Sequence, residues 1–263
     1  MSDDPIEPAT ASGFSVLNAL NRHVEREYEE REPDGFWHPS SLFGCLRQAI
    51  YSSRGTEITN QRDDRSRRVL RVGHILHDFV QAAVEAHPGI ARAYSEAKIQ
   101  DDELKIRGSL DQVLVFDDGR VEVAEYKTIN SQAFKYRDLP KPDHVGQLSV
   151  YLMVLKNQGA IAGDGTVIPP SVARGRIAYV SKDDLLIDEY TVLLSEGKER
   201  AILRRVGYLD LYAADGEALP PRLPDEIKKG ERKRAYLCNY CPYAQRCWET
   251  DGPGVNLLGE EIL

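Results

Sequence analysis

Residues 108–128 read GSLDQVLVFDDGRVEVAEYKT, and this stretch decides the fold. Two runs of alternating apolar residues flank Asp117-Asp118-Gly119, a turn composition, so the segment reads as two strands joined by a tight connection. Side chains on a strand alternate between faces. That rule groups Val121, Val123, Glu125 and Lys127 on the second strand, and Asp111, Val113 and Val115 on the first. A simple hairpin register then sets Asp111 close to Glu125 or Lys127. Two carboxylates and an ammonium at the end of an apolar face can be a buried ion pair or the frayed end of an edge strand. They also suit cleavage of a phosphodiester. Asp111 and Glu125 would bind a hard divalent cation through oxygen, with the Tyr126 carbonyl as a further ligand. The cation would activate a water, and Lys127 would orient or deprotonate it or stabilise the transition state.

Further β-rich runs at 90–100 and 103–117 extend the hairpin into a meander of three or more strands. Helical spacing marks 14–30, with Val16, Leu17, Leu20 and Val24 apolar. Ser40 or Ser41 would cap a helix running through Cys45 to Tyr51. A long helix starts near Asp64, carries Val69, Leu76, Val80 and Val84 on one face, and ends at Pro88-Gly89. Downstream come a helix over 143–159, strands over 171–181 and 185–194, and a helix over 195–216. Helices, then a sheet with a crossover helix, then a cysteine-bearing tail make an α/β protein.

Composition bounds the setting. The chain of 263 residues has a net charge of −8 and ordinary apolar and charged fractions, as a globular protein with a substantial core should. No apolar run approaches the roughly 20 residues of a membrane span. The start, MSDDPIEPATASG, is acidic and lacks a secretory core, so a cytoplasmic location is expected. There, clustered cysteines bind metal or do redox chemistry more often than they form disulfides. Cys238, Cys241 and Cys247 stand at C-x2-C-x5-C, one ligand short of a tetrahedral site, and the fourth cysteine is Cys45. Thiolate sites take zinc or an iron–sulfur cluster, and the spacing alone leaves both open.

Other residues could join the carboxylates. His77, four residues after Gly73 on the long helix, is a candidate metal ligand, with His74 one turn away as its rival. Gln147 and Tyr151 lie four apart on one helical face, which suits contact with a phosphate or with Lys127. Each also has an ordinary role as helix surface or core.

Taken together, these pieces resemble the RecB-like branch of the PD-(D/E)XK nuclease superfamily, from about Ser40 to Cys247. The matching elements stand in the family's order: G-x3-H (Gly73, His77), G-x2-D (Gly108, Asp111), E-x-K (Glu125, Lys127) and Q-x3-Y (Gln147, Tyr151). One early and three late cysteines match the iron–sulfur form of that branch, which includes the small CRISPR-associated exonucleases and their phage relatives. Leucine precedes Asp111 where the name-giving motif has proline.

The resemblance implies a restriction-endonuclease-like core with a central mixed sheet flanked by helices. It implies His77, Asp111, Glu125 and the Tyr126 carbonyl as ligands of Mg²⁺ or Mn²⁺, Lys127 as the catalytic lysine, and Gln147 and Tyr151 as supports. Cys45, Cys238, Cys241 and Cys247 would hold a [4Fe–4S] cluster that staples the chain's two ends. The expected layout is a single nuclease domain over 1–263: an N-terminal helical segment at 14–60, the catalytic core at 64–213 and a cluster-binding segment at 214–263. The implied activity is exonucleolytic hydrolysis of single-stranded DNA, 5′ to 3′, in recombination, repair, phage DNA processing or CRISPR adaptation, with a recombination or adaptation protein as a further partner. A non-catalytic DNA-binding or assembly subunit is the alternative. DNA would follow basic residues: Arg47 after the first cysteine, Arg67, Arg68 and Arg71 on the long helix, and Lys233 and Arg234 before the late cysteines. Phe43, Tyr236, Tyr240, Tyr243 and Trp248 could stack on unpaired bases.

Overall fold

The structure is a computed structural model that describes residues 15–26, 32–136, 138–228 and 231–257. The expected N-terminal tail and the charged end of the first helix lie outside the described residues. In chain order the elements are α1 (Val16–Arg26), α2 (Pro39–Leu42), α3 (Leu46–Ser53), α4 (Asp64–Glu85), β1 (Ile90–Asp101), β2 (Ile106–Phe116), β3 (Val121–Ile129), α5 (Ser131–Tyr136), α6 (Pro142–Gln158), β4 (Ala160–Ile161), β5 (Val167–Ile168), β6 (Arg174–Ser181), β7 (Ile187–Val192), α7 (Glu196–Asp215), β8 (Glu226–Lys228) and β9 (Glu231–Lys233). Seven strands form one mixed sheet in the order β5-β4-β1-β2-β3-β6-β7. The meander β1–β2–β3 is antiparallel, and α6 is the crossover that returns the chain to β6 parallel to β3.

Local chemistry sets these boundaries. Asp63 caps α4 by accepting the Ser66 N–H at 2.7 Å, and Ser195 caps α7 through the Lys198 N–H. Gly216, at φ 79°, ends α7 in a conformation glycine adopts without strain. Helix α6 is apolar nearly all round, with every residue from Gly146 to Leu155 buried. Such a helix belongs inside a protein. It packs against β1, β3 and β6 on one side and against α2 and α7 on the other. Leu110, Val113, Val123, Leu148, Leu152, Ile177 and Leu209 fill this main core. The opposite face of the sheet carries a smaller core of Leu114, Ala124, Tyr126 and Ala178, covered by Val80 and Val84 of α4.

Two expectations need correction. The helix through Cys45 is two helices, because the chain turns at Phe43-Gly44-Cys45 and the Arg205 guanidinium of α7 binds the Leu42 and Gly44 carbonyls. Val69 is 47% exposed, so the buried stripe of α4 starts later than its sequence suggests. The basic segment before the late cysteines is a short hairpin, β8–β9. Among the described residues no helix is long and apolar enough to cross a membrane.

Candidate active site

The site lies where the sheet forks. The β2–β3 ladder runs from Val115–Val121 to Gln112–Ala124, while β3 stays paired with β6 out to Ile129–Ser181. Past the fork the Tyr126 N–H has no ladder partner on β2, and the Asp111 carboxylate takes it through Oδ2 at 2.7 Å. The expected side-chain alternation also breaks here. Leu110 and Val113 both enter the main core, so the pleat of β2 reverses at Asp111.

Glu125 and Lys127 follow the alternation and point to the α6 side. Lys127 Nζ lies 2.7 Å from Glu125 Oε1 and donates to Gln147 Oε1 at 2.9 Å. Gln147 Nε2 in turn donates to Glu125 Oε1 at 2.7 Å and to the Tyr151 hydroxyl at 3.3 Å. One amide thus bridges acid and base, and spacing of four on α6 puts Tyr151 behind it. From the other side α4 brings His77, whose Nδ1 is 3.9 Å from Asp111 Oδ2. His74, its rival, is exposed.

The two motif glycines have steric reasons. A Cβ on Gly73 would stand 2.9 Å from Thr128 Oγ1, so glycine lets α4 close on β3 and bring His77 down to the fork. A Cβ on Gly108 would meet Pro39 at 2.9 Å and the Tyr151 ring at 3.1 Å.

Burial governs the electrostatics. Asp111 is pushed up to about 6, chiefly by burial, against the opposing Tyr126 N–H and Lys127. Glu125 is pushed up to about 7 by burial and by Asp111, more than Lys127 offsets. Burial works against the Lys127 charge, yet the Glu125 carboxylate outweighs it and holds the ammonium above its usual range. Burial and Lys127 lower His77, which keeps its imidazole neutral and available as a donor ligand. Burial also keeps the Tyr151 phenol protonated.

These residues fit a hard cation. Glu125 is 2% exposed, and its Oε2 is buried without a hydrogen-bond partner. A buried carboxylate oxygen left unmatched is costly, and a cation beside it removes the cost. As they stand, no three His, Cys, Asp or Glu side chains among the described residues converge closely enough to hold one ion. Glu125 is instead turned toward Lys127 and Gln147.

The four cysteines line a second place without converging closely enough to hold one ion. Cys45, at the start of α3, lines one cavity with Cys238, Cys241 and Cys247, walled by Tyr51, Leu237 and Trp248. Burial raises the thiols of Cys45, Cys238 and Cys241, the last to about 11. Hydrogen bonds already sew this lobe to the N-terminal helices. Tyr51 donates to Asp251 at 2.6 Å, and the Thr59 and Asn60 N–H groups donate to the Pro242 carbonyl.

Arg47 departs from the expectation of DNA contact. It is 1% exposed and spends its guanidinium on the Gly252 and Pro253 carbonyls and the Tyr51 hydroxyl. Arg67 reaches Asp64 at 3.4 Å, and Arg68 binds the Asn21 side chain, which ties α4 to α1. Arg71 is half-buried on the same helix, while Lys233 and Arg234 are exposed, the latter over the Trp248 ring.

Asp143 and His144 were missed from sequence. Asp143 lies one helical turn before Gln147, within electrostatic reach of Lys127. His144 Nδ1 sits 2.8 Å from the Tyr179 hydroxyl, and burial holds the ring near 4, hence neutral. The i, i+4 spacing of Asp143 and the i, i+3 spacing of His144 to Gln147 were the signals available for finding them.

Comparison with known proteins bears on the fold and the family. The fold resembles the crystal structure of SSO0001, with a TM-score of 0.54 and 18% identity over 90% of this chain and 95% of that one. An alkaline exonuclease from Laribacter hongkongensis (LHK-Exo) aligns with a TM-score of 0.48 and 13% identity over 70% of this chain and 90% of that one. No curated protein sequence matches the chain significantly. The family model of the PD-(D/E)XK nuclease superfamily matches residues 10–248, a span that contains the fork and all four cysteines. The chain therefore belongs to the PD-(D/E)XK nuclease superfamily.

Proposed function

We propose that the chain is a divalent-cation-dependent deoxyribonuclease, an exonuclease that degrades single-stranded DNA from its ends in the 5′-to-3′ direction. The observation that carries this reading is the orphaned Glu125 Oε2, buried beside Asp111 and within one side chain of Lys127. Mg²⁺ or Mn²⁺ held by Asp111, Glu125, His77 and the Tyr126 carbonyl would supply Lewis-acid stabilisation of the phosphate. Lys127 carries its proton at Nζ beside Glu125 Oε1, so it can orient a water or stabilise charge on the scissile phosphate. Gln147 fixes the Lys127 and Glu125 heads relative to one another, and Tyr151 fixes Gln147. DNA would approach along the Arg67–Arg71 side of α4.

The four cysteines are assigned to an iron–sulfur centre of the [4Fe–4S] type. Support comes from their common cavity and from an all-sulfur donor set. Its role would be structural, fastening the C-terminal lobe to α3.

End-labelled single- and double-stranded DNA incubated with Mn²⁺ or Mg²⁺, beside an Asp111→Ala control, tests the nuclease. Metal-dependent shortening lost in the control is the expected result, and the labelled end reports polarity. Equal inactivity of both proteins on every substrate, with iron retained, would favour a binding subunit instead.

A further inference from the structure

Three described non-glycine residues have positive φ: Glu96 at 51°, Lys105 at 50° and Leu185 at 58°. Lys105 and Leu185 belong to the turns that follow β1 and β6, where such conformations are common. Glu96 is different, because it lies inside β1. A non-glycine residue there is uncommon enough to ask what its side chain does.

The geometry answers in part. Ser95 opposes Gln112 and Ala97 opposes Leu110, so Glu96 and Asp111 face each other with register intact on both sides. Tyr94 and Ala97 both pack into the main core, which means that β1 reverses its pleat at Glu96 as β2 does at Asp111. The paired reversal puts a third carboxylate at the fork. Its charge is felt by Asp111, His77 and Tyr151 alike. Ser109 Oγ donates to Glu96 Oε2 at 2.9 Å and aims the side chain. Glu96 is exposed, whereas the unmatched Glu125 Oε2 is buried.

We propose that Glu96 is a positioning residue of the cation site, accepting hydrogen bonds from the water shell of the ion that Asp111 and Glu125 hold. Mg²⁺ and Mn²⁺ at nuclease sites keep several waters, and an outer carboxylate both orients those waters and raises affinity for the ion. The inference rests on the cation-dependent reading above. It adds a residue from β1 that none of the sequence motifs includes.

Mn²⁺ binding by titration calorimetry on the full chain tests it, with thermal shift on Mn²⁺ addition as a second readout. Glu96→Gln should weaken Mn²⁺ binding about tenfold and raise the half-saturating Mn²⁺ for cleavage to match, while turnover recovers at saturating Mn²⁺. Glu96→Asp should restore most of the affinity. Asp118→Asn, which removes one charge from the distant β2–β3 turn, should leave it unchanged. Should glutamine at this φ fail to fold, Glu96→Asn carries the same test, since asparagine tolerates left-handed backbone. Unaltered affinity in the Glu96 variant, or an equal loss in Asp118→Asn, overturns the assignment. A wild-type chain that binds no Mn²⁺ would instead defeat the cation-dependent reading itself.

Discussion

Asp111 accepts the backbone N–H of Tyr126 through Oδ2, at 2.7 Å, where a strand carbonyl would otherwise have served. A side chain thus ends the ladder between β2 and β3. Glu125 and Lys127 flank Tyr126 in sequence, so the bond sets both at a defined distance from Asp111. The acid that closes the sheet is also the acid proposed to bind a cation.

Lys127→Ala removes the ammonium shared by Glu125 and Gln147. Cleavage of labelled DNA should fall by about a hundred- to a thousandfold or more. Mn²⁺ binding should persist, because the carboxylates remain. Activity within a few-fold of wild type would take Lys127 out of the mechanism.

The carboxylates predict opposite pH trends for the metal-free and loaded protein. Asp111 near 6 and Glu125 near 7 both lie above their unfolded values of about 4. The folded state therefore holds these protons more tightly. Its contribution to stability is full below about pH 4 and is lost as pH rises through 6 to 7. Metal-free melting temperature should drop over that window, and less so in Asp111→Asn. Mn²⁺ affinity should rise across the same window, because binding needs ionised carboxylates. Calorimetry that finds a flat affinity between about pH 5 and pH 8 would falsify this ordering.

Arg47→Met tests whether that arginine is structural. The change strands the Gly252 carbonyl and takes one donor each from the Pro253 carbonyl and the Tyr51 hydroxyl, and should cost roughly 2–4 kcal/mol in urea unfolding. Any DNA affinity of the folded variant should match wild type. A variant of full stability with weakened DNA binding would restore Arg47 to the nucleic-acid surface.

Cys45→Ala should release iron and visible absorbance, and should open the C-terminal lobe to limited proteolysis. The hydrogen bonds from α3 and the following loop to Asp251 and Pro242 remain, so the nuclease core should keep its far-ultraviolet dichroism. Full iron content in this variant would show that the cysteine from α3 is no ligand.

The meander was legible because alternation and the Asp-Asp-Gly turn are local signals. So was the pairing of Gln147 with Tyr151, which needs only helical spacing. The pleat reversal was not legible: nothing in a glutamate marks a positive φ, and period two carried Asp111 onto the wrong row. The break between α2 and α3 depends on Arg205, some 160 residues downstream. Arg47 misled for a related reason. A guanidinium that binds carbonyls two hundred residues away looks, in sequence, like one that binds phosphate.

That long-range strap bears on how the protein is made. Arg47 leaves the ribosome early, but Asp251, Gly252 and Pro253 emerge some two hundred residues later. Until then the arginine on α3 has no carbonyls to bind and must stay hydrated, which keeps α3 from settling into its final place. The sheet and α6 precede that segment in the chain, whereas α3 gains these partners only with nearly the last segment described. A stalled or truncated product would therefore leave Tyr51, which packs against Tyr243 and Cys247, uncovered, an apolar surface of the sort that chaperones hold and proteases clear.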